Sequence, residues 1–216
     1  MKLVMFDMDG TLYRTETSFI PAVQGFAAHH SFVMPDEAFL LGFVGQNGTT
    51  WDAWLESLQL GSALVDLNAE FDALELEHIQ SSGELYAGAE GIIRELASQG
   101  WRLGICSNAS TWYVQAILGK AGMLSLFDPV RVPRTRLHTK TLMLCEVWNE
   151  FHPDQCAMVG DRADDMRAAR AGGFLGIGAA YGFAPGELGA ADVCISDITD
   201  VITALDARWA ALPPRT

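Results

Sequence analysis

The strongest constraint on the fold is a repeated succession of a short apolar run and a segment with helical spacing. The apolar runs have the length of strands, and each ends near polar or glycine residues. They occupy residues 3–6, 102–106, 156–159, 174–177 and 193–195. Strands that are apolar on both faces need cover on both sides, and helical segments separate these runs. The pattern therefore predicts a parallel sheet with helices on both faces.

Residues 15–85 interrupt this alternation and predict an inserted unit. Three stretches there have helical spacing but no convincing buried strand: 16–29, 49–60 and 65–80. The charge is also uneven, because residues 15–90 hold twelve acids and no Lys or Arg, which leaves 15 acids and 14 bases elsewhere. We therefore expect a helical cap at 15–85, inserted into a Rossmann-like α/β core formed by residues 1–14 and 86–216.

The net charge of −13 argues against nucleic acids and anionic membranes as partners, since both attract basic patches. No apolar run reaches transmembrane length, and Asp7 and Asp9 interrupt the apolar N-terminus before a signal-peptide core is complete. We expect a cytoplasmic protein, a monomer or a homodimer. No CxxC pair occurs, so we expect buried, reduced thiols at the four cysteines, Cys106, Cys145, Cys156 and Cys194.

Two carboxylates follow directly on the first predicted strand, in the sequence DxDGT from Asp7 to Thr11. Ligands of open α/β sheets bind beyond the carboxyl ends of the strands, so both side chains are expected to face a substrate. Gly10 lets the chain turn away from the strand, and Thr11 can form local hydrogen bonds. Calcium loops also begin with acids two residues apart, but Ser18 occupies the twelfth position, where such a loop needs a bidentate Glu.

Polar residues also follow two later strands. Ser107 and Asn108 precede a helical stretch, where a hydroxyl and backbone N–H groups can hold an anion. Asp161 ends another strand, and Asp164 and Asp165 stand at the start of the next helix. Each feature has a structural alternative, because Ser and Asn cap helices and the helix dipole favours acids in the first turn. No single motif therefore identifies the chemistry.

The order of the motifs resembles the haloacid dehalogenase superfamily of phosphatases. That order is DxDGT at Asp7, then Ser107-Asn108 at a strand end, Lys140 before a helix, and GDxxxD from Gly160 to Asp165. The helical insert stands where such proteins carry their small cap. Residues 86–88 before a helix, together with 158–161 and 165–169, are most similar to the phosphoglycolate phosphatase-like branch.

The resemblance implies a magnesium-dependent phosphatase with a role for each motif residue. Asp7 would be the nucleophile that forms an aspartyl-phosphate, and Asp9 would protonate the leaving oxygen and then activate water. Mg²⁺ would be held by the Asp7 carboxylate, the Asp9 backbone carbonyl and Asp161, with Asp165 as a direct or water-mediated ligand. The phosphoryl group would be held by Thr11, Ser107, the Asn108 backbone and Lys140.

Some alternatives stay open from the sequence. Arg136 rivals Lys140 as the cation that meets the phosphate, because relatives usually follow this lysine with proline and Thr141 follows here. A phosphotransferase or phosphomutase would use the same intermediate on Asp7. A non-catalytic binding protein on the same fold is a further alternative, although no acid of the motifs is missing.

The acidic cap bears on the substrate. The resemblance disfavours phosphonate cleavage, which needs a cap lysine, and dehalogenation, whose enzymes generally lack an acid at the position of Asp9. Phosphoglycolate carries a carboxylate, which an acidic cap without Lys or Arg receives poorly, although Arg14 could compensate in part. The polar stretch at residues 45–50 would offer neutral donors and acceptors to the leaving group. We expect a weakly charged phosphomonoester, such as a sugar phosphate.

Overall fold

A computed structural model describes residues 1–46 and 48–210. Its main sheet is entirely parallel and has six strands: β1 (Lys2–Phe6), β4 (Trp101–Cys106), β5 (Phe127–Arg131), β6 (Gln155–Gly160), β7 (Leu175–Ala179) and β8 (Val193–Ile195). An antiparallel pair is formed by β2 (Tyr13–Arg14) and β3 (Glu84–Leu85). The strand order of the main sheet is β5, β4, β1, β6, β7, β8, so the first strand lies in the interior. The predicted Rossmann-like α/β fold is confirmed.

Helices cover both faces of this sheet. The helices are α1 (Glu16–His30), α2 (Glu37–Leu41), α3 (Thr49–Ser57), α4 (Leu64–Ser81), α5 (Ala89–Ser98), α6 (Thr111–Lys120), α7 (Lys140–Phe151), α8 (Ala163–Gly172) and α9 (Val201–Ala210). Side chains alternate along β1, so Val4 and Phe6 pack with α5 and α6 while Leu3 and Met5 pack with α7 and α8. In the part of the chain that the structure describes, no helix is both long and apolar enough to cross a membrane.

The register of β1 determines where the polar residues that follow this strand lie. Phe6 is paired with Ile105 on β4 and with Val159 on β6. The Asp7 backbone N–H then donates a 2.9 Å hydrogen bond to the carbonyl of Val159. The carboxyl ends of three neighbouring strands therefore meet at one edge of the sheet, immediately before their polar residues.

Helices α1 to α4 pack around an apolar cluster of their own, separate from the two clusters of the sheet. Phe26 on α1 and Phe71 on α4 are both buried there, with ring centroids 6.0 Å apart in an edge-to-face arrangement. Phe183, from the loop after β7, packs against the same cluster. This arrangement supports our proposal that residues 15–85 form a cap seated on the core.

Two elements differ from the sequence-based expectation. Strand β5 was not predicted, because Asp128 and Pro129 break its apolar pattern, and it lies at an edge of the sheet, where proline is tolerated. Helix α2 has only five residues, too few to show a helical period. The fourth apolar run, predicted at 174–177, forms a strand shifted toward the C-terminus, at Leu175–Ala179.

The expectation of four buried thiols is wrong for part of the set. Cys106 and Cys156 are buried, but Cys145 is only half-buried and Cys194 is exposed. Cys194 is the middle residue of β8, the other edge strand, and its side chain points away from Val193 and Ile195, which pack on a core cluster of the sheet. All four are free thiols.

Candidate active site

Three buried carboxylates converge at the edge of the sheet. Asp7 follows β1, Asp161 follows β6, and Asp165 stands in the first turn of α8. One carboxylate oxygen from each lies within 4.8 Å of the others, and each side chain is at most 1% exposed. The structure thus brings together three of the residues that the sequence marked as metal ligands.

Two glycines make this convergence possible. Gly10 has a φ of +70°, and a Cβ there would lie 2.4 Å from Asp161 Oδ2. A Cβ at Gly160 would lie 2.2 Å from Asp165 Cγ. Any other residue at these two positions would push a carboxylate out of the cluster.

Lys140 is the cation of this cluster. As the first residue of α7 it is completely buried, and its Nζ donates a 2.6 Å hydrogen bond to Asp165 Oδ1. Its Nζ also lies 2.8 Å from Asp7 Oδ2, an ion pair without the alignment of a hydrogen bond. Burial lowers the pKa of Lys140, but Asp165 and Asp7 outweigh this effect and hold it well above its usual value.

Arg136 lies elsewhere. Its side chain is 76% exposed and forms a 2.9 Å ion pair with Asp52 on α3. Of the two candidate cations, the structure therefore places Lys140 beside Asp7 and Arg136 at the surface, where it links the core to the cap helices.

The charges of the cluster do not balance, since one lysine faces three carboxylates. Burial, followed by the charge of Asp7, raises the pKa of Asp161 to about 7. Burial also raises the pKa of Asp165, although Lys140 acts in the opposite direction. Asp161 Oδ1 is buried without a hydrogen-bond partner. Free, buried, anionic oxygens are the ligands that hard divalent cations prefer, so the residues present fit such a cation.

Asp9 is held beside this cluster by two hydrogen bonds. Its Oδ1 accepts hydrogen bonds from Thr15 Oγ1 at 2.7 Å and from the Tyr113 hydroxyl at 2.8 Å. Burial, followed by the charge of Asp7, raises the pKa of Asp9, while these two hydrogen bonds lower it. A fixed carboxyl with a raised pKa can protonate a leaving group. Neither Thr15 nor Tyr113 was predicted as a site residue.

The predicted phosphate ligands lie at the same edge. Thr11 is fully buried and its hydroxyl has no hydrogen-bond partner. Ser107 is also fully buried, and its Oγ accepts a 3.2 Å hydrogen bond from the backbone N–H of Ala109. The Asn108 side chain donates a 3.2 Å hydrogen bond to the backbone carbonyl of Gly45, so it connects the core to the cap.

Comparison with known proteins agrees with this geometry. The family model of haloacid dehalogenase-like hydrolases matches residues 1–173. The chain belongs to this family. It is 26% identical over 196 residues to a phosphoglycolate phosphatase of Haemophilus influenzae, covering 84% of this chain and 87% of that protein. It is also 26% identical over 216 residues to an N-acetylmuramic acid 6-phosphate phosphatase of Pseudomonas aeruginosa, covering 95% of each.

The fold agrees as well. The structure of a predicted phosphoglycolate phosphatase of Haemophilus somnus matches with a TM-score of 0.82 at 20% identity, covering 94% of this chain and 97% of that one. This haloacid dehalogenase-like hydrolase is a phosphatase of the phosphoglycolate phosphatase-like branch, as the order of its motifs predicted. The alternative of a non-catalytic binding protein is thereby set aside.

Proposed function

We propose that this phosphatase hydrolyses small-molecule phosphomonoesters through an aspartyl-phosphate on Asp7, with Mg²⁺ as its cofactor. The observation that carries the proposal is the meeting of Asp7, Asp161, Asp165 and Lys140 at one edge of the sheet. Such a group of carboxylates is poorly explained by fold stability, because burying charges without full compensation costs several kcal/mol.

Mg²⁺ would be held by the carboxylates of Asp7, Asp161 and Asp165 and by the backbone carbonyl of Asp9. When bound, it offsets the repulsion between the phosphoryl group and Asp7. That repulsion costs roughly 4 kcal/mol for each pair of like charges at about 4 Å and an effective dielectric near 20. Lys140 would add a second positive charge on the phosphate.

The protein residues supply two proton transfers and one covalent bond. An oxygen of Asp7 attacks phosphorus, the bond from phosphorus to the leaving oxygen breaks, and Asp9 gives its proton to that oxygen. Asp9 then takes a proton from water, which attacks phosphorus, frees Asp7 and releases inorganic phosphate. Thr15 and Tyr113 hold Asp9 in place for both steps. The hydroxyls of Thr11 and Ser107 would bind the phosphoryl oxygens.

We further propose a weakly charged leaving group, such as a sugar. Gly45, Gln46 and Gly48 line the cleft beside Asp9, where they offer neutral polar groups. Asn47, from the same predicted stretch, lies outside the described residues. The names of the relatives include two different phosphomonoesters, so they leave the substrate open. A cytoplasmic location and a monomer or homodimer remain part of the proposal.

The test is inorganic phosphate released by the wild-type protein with Mg²⁺ from a panel of sugar phosphates and phosphoglycolate. The proposal expects release, with the highest kcat/KM on a sugar phosphate. A wide preference for phosphoglycolate would show that the proposed substrate class is wrong. If phosphate moved from one sugar to another with little net release, the protein would be a phosphotransferase or phosphomutase.

A further inference from the structure

A cavity of about 210 Å³ lies between the cap and the core, beside Asp9. Much of its lining is aromatic and includes the rings of Phe19, Trp51 and Phe71. The ring centroids of Trp51 and Phe71 are 4.6 Å apart, and those of Phe19 and Trp51 are 5.5 Å apart. Since Asp9 is the proposed proton donor to the leaving oxygen, this cavity is where the leaving group would lie.

The lining of the cavity also contains acids. Asp72 and Glu75 stand three positions apart on α4, so they share one face of the helix, and both line the cavity. Glu75 is only 7% exposed. In residues 1–46 and 48–210, no side chain or backbone group donates a hydrogen bond to its carboxylate or forms an ion pair with it. Burial, followed by the charges of Asp9 and Asp72, raises the pKa of Glu75 well above 4.5.

An unpaired carboxylate at this depth is costly for the protein alone. None of the described residues that line the cavity is Lys or Arg. The positive charge that would favour the ionised form of Glu75 would therefore come from the ligand. A protonated amine suits this lining, because it pairs with carboxylates and is attracted to the faces of aromatic rings.

We propose that the leaving group carries a protonated amine, which binds Glu75 and Asp72 against the rings of Trp51 and Phe71. This inference rests on the proposed function, since it concerns the leaving group of the same reaction. It narrows the weakly charged substrates to phosphomonoesters of amino alcohols or amino sugars.

A larger neighbouring cavity, of about 560 Å³, does not indicate a preference for an anionic leaving group. Its arginines are each paired with an acid: Arg134 with Glu146, Arg136 with Asp52, Arg162 with Glu187 and Arg167 with Asp164. A carboxylate on the leaving group would compete with these acids for the arginines.

The test compares substrates that differ in one terminal group. The first series is 2-aminoethyl phosphate, 2-hydroxyethyl phosphate and phosphoglycolate, and the second is glucosamine 6-phosphate and glucose 6-phosphate. At about pH 7 the amines are largely protonated. The wild-type protein should favour the amine over the hydroxyl by at least about tenfold in kcat/KM in one series, as expected for a charge-assisted hydrogen bond. Phosphoglycolate should be the poorest of its series.

Glu75→Gln should reduce this preference to about twofold or less, because the amide keeps the shape but not the charge. Glu77→Gln, on the exposed side of the same helix, should leave it unchanged. The ratio between two substrates does not depend on the fraction of folded enzyme. Equal kcat/KM for amine and hydroxyl in both series, a preference for phosphoglycolate, or a preference that survives Glu75→Gln would overturn the inference.

Binding separates this inference from the proposed chemistry. In Asp7→Asn protein, the dissociation constants of glucosamine 6-phosphate and glucose 6-phosphate can be measured by calorimetry without turnover. Tighter binding of the amine supports the pocket assignment even if the wild-type protein releases no phosphate from any substrate. That lack of release would contradict the proposed function alone. Equal binding of the two would count against the pocket assignment.

Discussion

The Tyr113 hydroxyl donates a 2.8 Å hydrogen bond to Asp9 Oδ1, although the two residues are 104 positions apart in the chain. The bond joins α6 to the loop after β1, and it is completely buried. Since Thr15 binds the same oxygen, one face of the Asp9 carboxyl is fixed by two donors. The proposed proton donor is thus oriented by the cap boundary on one side and by the core on the other.

Replacing Tyr113 by Phe removes one of these donors and keeps the ring, which packs edge-to-face on Tyr13 and Trp112. We expect kcat to fall about tenfold, which corresponds to about 1.4 kcal/mol, while KM changes little. Steady-state kinetics on a substrate with a poor leaving group measures this effect. An aryl phosphate needs less protonation and should show a smaller loss. An equal loss on both would argue that Tyr113 only supports the fold.

Replacing Lys140 by Met leaves Asp7 and Asp165 buried without their cation. We expect the free energy of unfolding to fall by about 3–5 kcal/mol, together with loss of phosphate release. Arg136→Met is the matched control, because it breaks an exposed pair that contributes less than about 1 kcal/mol. Urea unfolding and phosphate release measure the two effects. Arg136 would be the phosphate-binding cation if its variant lost activity and the Lys140 variant kept it.

The excess of negative charge in the cluster of Asp7, Asp161 and Asp165 predicts that Mg²⁺ stabilises the protein. A ligand at a concentration one hundred times its dissociation constant adds about 2.7 kcal/mol to the free energy of unfolding. The midpoint of thermal unfolding should therefore rise with Mg²⁺. Asp161→Asn should remove most of this rise. Asp164→Asn should not, because Asp164 pairs with Arg167 at 3.2 Å outside the carboxylate cluster. If both variants responded to Mg²⁺ like the wild-type protein, the cation would bind elsewhere.

The buried Glu75 predicts a pH dependence of stability. Its raised pKa means that, above 4.5, the folded protein keeps a proton on Glu75 that the unfolded chain has lost. Stability therefore falls as the pH rises from 4.5 through the raised pKa. Glu75→Gln removes this loss. The free energy of unfolding of the variant minus that of the wild-type protein should therefore be larger at about pH 8 than at about pH 4. Chemical denaturation at both pH values measures the gain, and a constant difference would contradict it.

Much of the fold follows from the sequence because interior strands of a parallel sheet are apolar on both faces. The first strand is an example, since it is buried between two neighbours and ends immediately before Asp7. Edge strands carry a weaker signal. Asp128 and Pro129 hide β5, and Cys194 of β8 is exposed although its apolar run predicted burial.

The residues of the candidate site also differ in how well the sequence predicts them. Asp7, Asp9, Asp161 and Asp165 stand at strand ends or helix starts in short motifs, so their positions could be predicted from the sequence. Tyr113 belongs to no such motif, and its partner Asp9 is distant in the chain. Glu75 looks like any acid of an amphipathic helix, and only the packing of α4 against the core shows that its carboxyl faces a cavity.

The proposed mechanism requires the phosphorylation of Asp7. It is tested most directly in Asp9→Asn protein, which lacks the group that activates water but can still react with an aryl phosphate, whose leaving group needs little protonation. With Mg²⁺ we expect a burst of phenolate equimolar with the enzyme, followed by slow turnover, and a phosphoryl group mapped by mass spectrometry to the peptide that contains Asp7. A burst with the phosphoryl group on another residue, or phosphate release from Asp7→Asn protein at the wild-type rate, would contradict the account.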